Sequence, residues 1–356
     1  MAYYRRGLAY QAKHDPDRAI ADYNEAITLD PKHAQAYVAR GIAYEAKGDL
    51  DRAIADYNQA ITLDPKFALA YFNRATAYDT KGDFDRAIVD FNQSLALDPK
   101  YAQGYLSRGI AYKAKGDLDR AIADYNQAIA LDPKLIMAYD NRGAAYQAKG
   151  DLDRAIADYN QSLALDSKYA TNYVNRGLAY NGKGDRDHAI ADFNQAIALN
   201  PKYAVAYYDR GNAYQGKGDI DRAIADFNQA IALDPKYAQF YNNRGNAYGT
   251  KGDYNSAIAD YNEAIQLDPK HATSYNGRAS AYFNKGDYDR AIADYTEAIK
   301  LNPKYAYAYM NRGLAWEKKK DLQKALADFK TFAELNPSDA NGPTSIARVT
   351  KALSGK

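Results

Sequence analysis

The residues through which this 356-residue chain could do chemistry are four histidines and an arginine that returns at a fixed interval; cysteine is absent. His14, His33, His188 and His271 lie far apart, mostly at turns, too scattered for a metal cluster or a nucleophilic triad. The lack of cysteine removes disulfides, thiolate metal sites and cysteine nucleophiles. The stretch GDLDRAIADYN from Gly48 has the acidic spacing of a calcium loop, but it lacks the central glycine and opens a helix. Gly182 and Gly184, like Gly216 and Gly218, end a helix with no strand before them, so no phosphate loop is implied. Asn92-Gln93-Ser94 and Asn160-Gln161-Ser162 match a glycosylation acceptor inside expected helices, where the match reads as accidental. No catalytic residue, no metal site and no cofactor is expected, and the chain reads as a non-enzyme.

The recurring arginine asks for a partner. It appears as Arg6, Arg40, Arg74 and onward to Arg278 and Arg312, on the inward aromatic face of a helix. An unpaired guanidinium there would be costly. Aspartate recurs at the same interval, from Asp22 and Asp56 to Asp328. The two series predict bidentate structural ion pairs such as Arg40 with Asp56, Arg142 with Asp158 and Arg244 with Asp260.

That interval is 34 residues, and it organises the chain. Ten tandem copies are expected at 1–33, 34–67, 68–101, 102–135, 136–169, 170–203, 204–237, 238–271, 272–305 and 306–339, followed by a capping helix and tail at 340–356. In the second copy Tyr37, Gly41 and Tyr44 form one helical stripe, and Ala53, Tyr57, Ala60 and Ile61 form another. Lys47-Gly48-Asp49 separates the two helices, with glycine as a left-handed terminator and aspartate as N-cap. Asp64-Pro65 ends the second. A single helix pair cannot bury its own apolar face, so the copies must stack into an all-α solenoid. Charge cancels within each copy: Arg40, Lys47, Arg52 and Lys66 stand against Asp49, Asp51, Asp56 and Asp64, leaving a net charge of +2 over the chain. No basic stripe for nucleic acid is visible. No apolar run approaches the ~20 residues that cross a bilayer.

Tyr37, Gly41, Tyr44, Ala53, Tyr57, Ala60 and Pro65, at these spacings, resemble the tetratricopeptide repeat, of bacterial type, over residues 1–339. The resemblance implies a right-handed superhelix of antiparallel helix pairs, with first helices lining a concave groove. It departs from the family in placing arginine where leucine is usual. By the same resemblance the second, fifth, sixth, ninth and twelfth positions of each copy face the groove, which makes Tyr4, Leu8, Val38, Ile42, Phe72, Leu106 and Ile110 an apolar stretch. Asn212, Asn242, Asn243 and Asn246 make a polar one. Asn73, Asn141, Asn175, Asn243 and Asn311 at the sixth position resemble an interrupted asparagine ladder of the kind that grips a peptide backbone. Lysines of the kind that clamp a chaperone's C-terminal carboxylate are missing from the second and fifth positions.

These readings imply a scaffold that binds an extended protein or peptide in its groove, with no nucleic acid and no membrane. A self-associating array, as homo-oligomer or filament, is the first alternative, and the targeting arm of a larger enzyme is the second. MAYYRRGLAY has no signal-peptide core, which points to the cytoplasm; an exported protein remains the expectation if the N-terminus is truncated.

Overall fold

Each copy carries two signals that stop a helix, and both act through the backbone. In the computed structural model, which describes residues 1–355, Gly48 takes φ +77°, a left-handed conformation that costs other residues dearly. Asp49 then caps the next helix, its side chain accepting from the Arg52 amide at 3.1 Å. Where glycine is missing from this turn, His14 and Lys320 adopt the same left-handed geometry at φ 56° and 64°. At the second signal Asp64 is extended, and its carboxylate accepts from the Lys66 amide at 3.0 Å.

The result is all-helical among the described residues. In the second copy the pair is Ala34–Ala46 with Leu50–Leu63. Equivalent pairs run from Ala2–Ala12 with Pro16–Leu29 to Ala306–Lys318 with Leu322–Leu335, and Asn341–Leu353 is the last helix. The chain divides into two compact units, Met1–Ala179 and Tyr180–Lys356. Within each unit helix pairs stack in chain order, each second helix packing on its own first helix and on the next one.

Small residues on the first helix make room for a large ring from the second. A Cβ added at Gly41 would lie 2.5 Å from the Tyr57 ring, so glycine lets that fully buried ring sit this close to the first helix. Tyr57 packs with Ala53, Ala60, Ala70 and Ala77, and the same alanine-and-ring core recurs around Tyr125 in the first unit and Phe227 in the second. In the C-terminal unit Val349, on the last helix, is fully buried against Phe329 and Ala325, so that helix covers an apolar face that would otherwise be bare. No helix among the described residues is long and apolar enough to cross a membrane.

Candidate binding groove

The polar groups common to the copies are occupied with structure. Arg40 Nε and Nη2 donate to the two carboxylate oxygens of Asp56 at 2.8 and 2.6 Å, and Arg142 does the same to Asp158 at 2.9 and 2.6 Å. In the second unit Arg244 holds Asp260 at 2.9 and 2.6 Å. Burial raises the carboxyl pKa of Asp260 and its arginine opposes that rise. The third guanidinium nitrogen reaches one copy back: Arg40 Nη1 donates to Asn24 at 2.7 Å, Arg142 to Asn126 at 2.6 Å and Arg244 to Asn228 at 2.7 Å. Each guanidinium also lies over the tyrosine three residues earlier, as Arg142 over Tyr139 at 5.7 Å. One arginine thus ties the two helices of its own copy together and both to the copy before. A second strap runs between copies from Lys47 to Asp17 and from Lys81 to Asp51, each at 2.5 Å.

What varies is one face of the first helices, and consecutive first helices lie side by side. In the N-terminal unit Leu8 is exposed, Tyr4 and Ile42 are half-buried, and Phe72 rests its ring against Phe91 and Tyr101. Ile110 is half-buried beside the core around Tyr125. Val38 and Leu106, expected to line the groove, are instead packed into the core at 3% and 2% exposure. The fifth position points as much at the neighbouring first helix as at open space, so an aliphatic side chain there is absorbed by packing. Asn73 is half-buried with no partner for Nδ2. Asn141 donates to its own helix at Met137 (2.9 Å) and accepts from Lys113 Nζ at 2.9 Å. Asn175 is half-buried.

The C-terminal unit brings its amides together. Asn243 Nδ2 donates to Asn212 at 2.7 Å and to the Tyr208 hydroxyl at 2.9 Å. Its Oδ1 accepts from Gln239 at 2.8 Å and from Asn242 at 3.0 Å. Asn242 is only 4% exposed and accepts from Ser274, so it orients the network and does not face solvent. Asn246 is exposed and accepts from the Tyr261 hydroxyl at 2.7 Å. Asn276 Oδ1 has no partner. A cavity of about 510 Å³ opens here, lined by Gln239, Asn242, Asn243, Asn246, Asn276 and Gly277, with Lys270, His271, Ala272, Thr273 and Tyr305 completing its wall. A second of about 340 Å³ shares Asn246, Asn276 and Gly277 with it. A side chain at Gly277 would strike the Tyr261 ring at 2.6 Å, so the absence of one leaves the space between the cavities open. Burial lowers the pKa of His271, whose nitrogens contact Ser274 Oγ at 2.6 Å and Gln239 Oε1 at 3.0 Å.

Groups that the residue pattern did not single out as binding residues also sit on these faces. Glu45, Asp79 and Lys113 hold the twelfth position of successive copies, half-buried, with burial raising both acids and lowering the lysine. Asp209, 8% exposed with Oδ2 unpartnered, is pushed up to about 7 by burial alone. Burial also raises Asp140, whose Oδ2 lacks a partner while its Oδ1 accepts from Asn172, which also bonds Ser162. Among the described residues no three potential ligands gather as a metal site.

Invariant polar groups spent on holding copies together, beside a face that changes from copy to copy, define a helical-repeat interaction scaffold. The chain belongs to the tetratricopeptide repeat family, whose patterns match residues 4–66, 208–272 and 276–340, with further repeat matches at 68–101 and from 111 to 218. No curated protein matches the sequence. Among solved structures, a tetratricopeptide repeat protein from Parabacteroides merdae is similar at 23% identity and TM-score 0.58, covering 70% of this chain and 98% of that one. Yeast Tom70 is similar at 17% identity and TM-score 0.51, covering 99% and 95%. The APC/C hetero-tetramer Cut9–Hcn1 gives 16% identity and TM-score 0.58, covering 98% and 89%. At these identities the likeness is one of fold.

Proposed function

We propose that the chain binds an extended polypeptide along its first-helix face, without catalysis. The observation that supports this most is the cavity of about 510 Å³ walled by side-chain amides, one of which, Asn276, keeps an unpartnered oxygen. An amide offers donor and acceptor together, which matches the alternating N–H and C=O of a peptide main chain and tolerates any side-chain sequence. The neighbouring amides are already oriented, Asn243 by four hydrogen bonds, so little ordering entropy remains to be lost on binding.

The test is selection of random twelve-residue peptides displayed on phage, comparing the intact chain with a variant carrying Asn246→Ala and Asn276→Ala. Enrichment on the wild type that falls on the variant supports the reading. Equal enrichment on both, or none on either, refutes it. A chemical-crosslinking pull-down with Leu8, Ile42 and Phe72 replaced by glutamate examines the apolar stretch in the same way.

A further inference from the structure

Two glycines line one cavity in the C-terminal unit, at a step of the repeat where other copies carry side chains. Lys113 Nζ reaching Asn141 at 2.9 Å shows that the twelfth position of one copy meets the sixth of the next. Between 238–271 and 272–305 those two positions are Gly249 and Gly277. A Cβ at Gly249 would meet nothing within 4 Å, and the cavity of about 340 Å³ opens there. In the first and fifth copies the twelfth position is glutamine: Gln11 accepts from the Tyr23 hydroxyl at 2.7 Å, and Gln147 from that of Tyr159 at 3.1 Å. With no side chain at Gly249, the equivalent Tyr261 hydroxyl donates to Asn246 Oδ1 instead, at 2.7 Å. That commits the oxygen of Asn246 and leaves its Nδ2 as a donor in the cavity wall. Asn276, in the same wall, has an unpartnered Oδ1.

We propose that this cavity is a subsite for the side-chain amide of a glutamine in the bound polypeptide, which takes the place that Gln11 and Gln147 hold in their own copies. This rests on the polypeptide reading above and adds a side-chain specificity to it. The chemistry follows from the wall. Asn246, Thr250, Tyr254, Asn276, Ser280 and Asn284 supply its polar groups, and no acid or base lines it. A charged side chain would be desolvated there with no counter-charge. An aliphatic one would cover the amides and leave Asn246 Nδ2 and Asn276 Oδ1 without partners. A primary amide answers both. Its carbonyl accepts from Asn246 Nδ2, and its NH2 donates to Asn276 Oδ1 after a small rotation of that side chain. The gap at Gly277 joins this cavity to the larger one, where the main chain lies, and the extra methylene of glutamine over asparagine spans that step. The subsite therefore sets register as well as residue type.

The same phage selection, run on wild type and on Gly249→Gln, tests the proposal, because the variant supplies the cavity with a glutamine of its own. Gly249 lies inside the helix Ala238–Lys251 with open space before it, so the substitution is accommodated, and matching circular dichroism and thermal midpoints establish that the variant folds. The expected result is glutamine enriched at one register position by the wild type, with that enrichment lost in the variant. In a synthetic fluorescein-labelled peptide from the wild-type selection, replacing that glutamine by glutamate or by norleucine is then expected to weaken binding to the wild type about tenfold. Wild-type peptides without a glutamine preference, glutamine still enriched by the variant, or glutamate bound as well as glutamine would each overturn the subsite while leaving polypeptide binding intact. No enrichment by the wild type overturns both.

Discussion

Arg142→Leu is the most informative single change, because the arginine serves three neighbours at once. Its side chain is 19% exposed and that of Asp158 is 7%, so deleting the guanidinium leaves a nearly buried carboxylate whose two charged hydrogen bonds are gone. Removing one partner of a buried pair costs about 3–5 kcal/mol, and the remaining exposure of Arg142 places this case near the lower end. The bond to Asn126 adds little, since that amide is exposed and water replaces the donor. In the double variant Arg142→Leu with Asp158→Leu no charge is stranded, and leucine at both places fills part of the space. Its loss relative to wild type is expected to be about 1–2 kcal/mol, the double variant being more stable than the single one. Urea unfolding followed by circular dichroism gives the comparison. Hydrogen exchange shows whether loss is confined to the copies around residue 142, as nearest-neighbour stacking requires. A double variant no more stable than Arg142→Leu would refute the pairing as the reason arginine and aspartate recur together.

Two further outcomes follow from the geometry. Asp209, held near 7 in the folded chain against 3.8 in an unfolded one, binds more protons folded than unfolded, so its burial is tolerated below pH 3.8 and costs increasingly as pH rises through 7. Asp209→Asn is therefore expected to leave stability unchanged at pH 4 and raise it at pH 8, by up to the order of 4 kcal/mol, in parallel urea titrations at the two pH values. Gly41→Ala drives a methyl to 2.5 Å from the Tyr57 ring and is expected to cost about 1–3 kcal/mol, read from the thermal midpoint; an unchanged midpoint would contradict the close packing.

The fold was legible because each copy repeats its own punctuation. Glycine and aspartate stop and restart the chain at Gly48-Asp49, proline closes it at Pro65, and the alternation of small and aromatic residues allows one packing of helix on helix. Asp56 could be matched to Arg40 on charge alone, since neither can be inward without the other. The site was less legible, for a physical reason. One face of the first helix serves both the neighbouring helix and open space, and periodicity cannot divide them: Val38 and Leu106 went to the core while Leu8 stayed out. Asn126 reads as an ordinary outward amide, and only the stacking of copies brings Arg142 within reach of it.

The backward-reaching arginine also bears on how such a chain tolerates changes in length. Because Asn92 and Asn126 are interchangeable acceptors, excising residues 102–135 would present Arg142 with Asn92 and Lys149 with Asp85, the partners that Arg108 and Lys115 hold now. A genetic deletion or duplication of one 34-residue module would thus meet a seam already cut to fit. The same interchangeability carries a hazard during synthesis, when an emerging pair can dock one module out of step and find its polar contacts satisfied there.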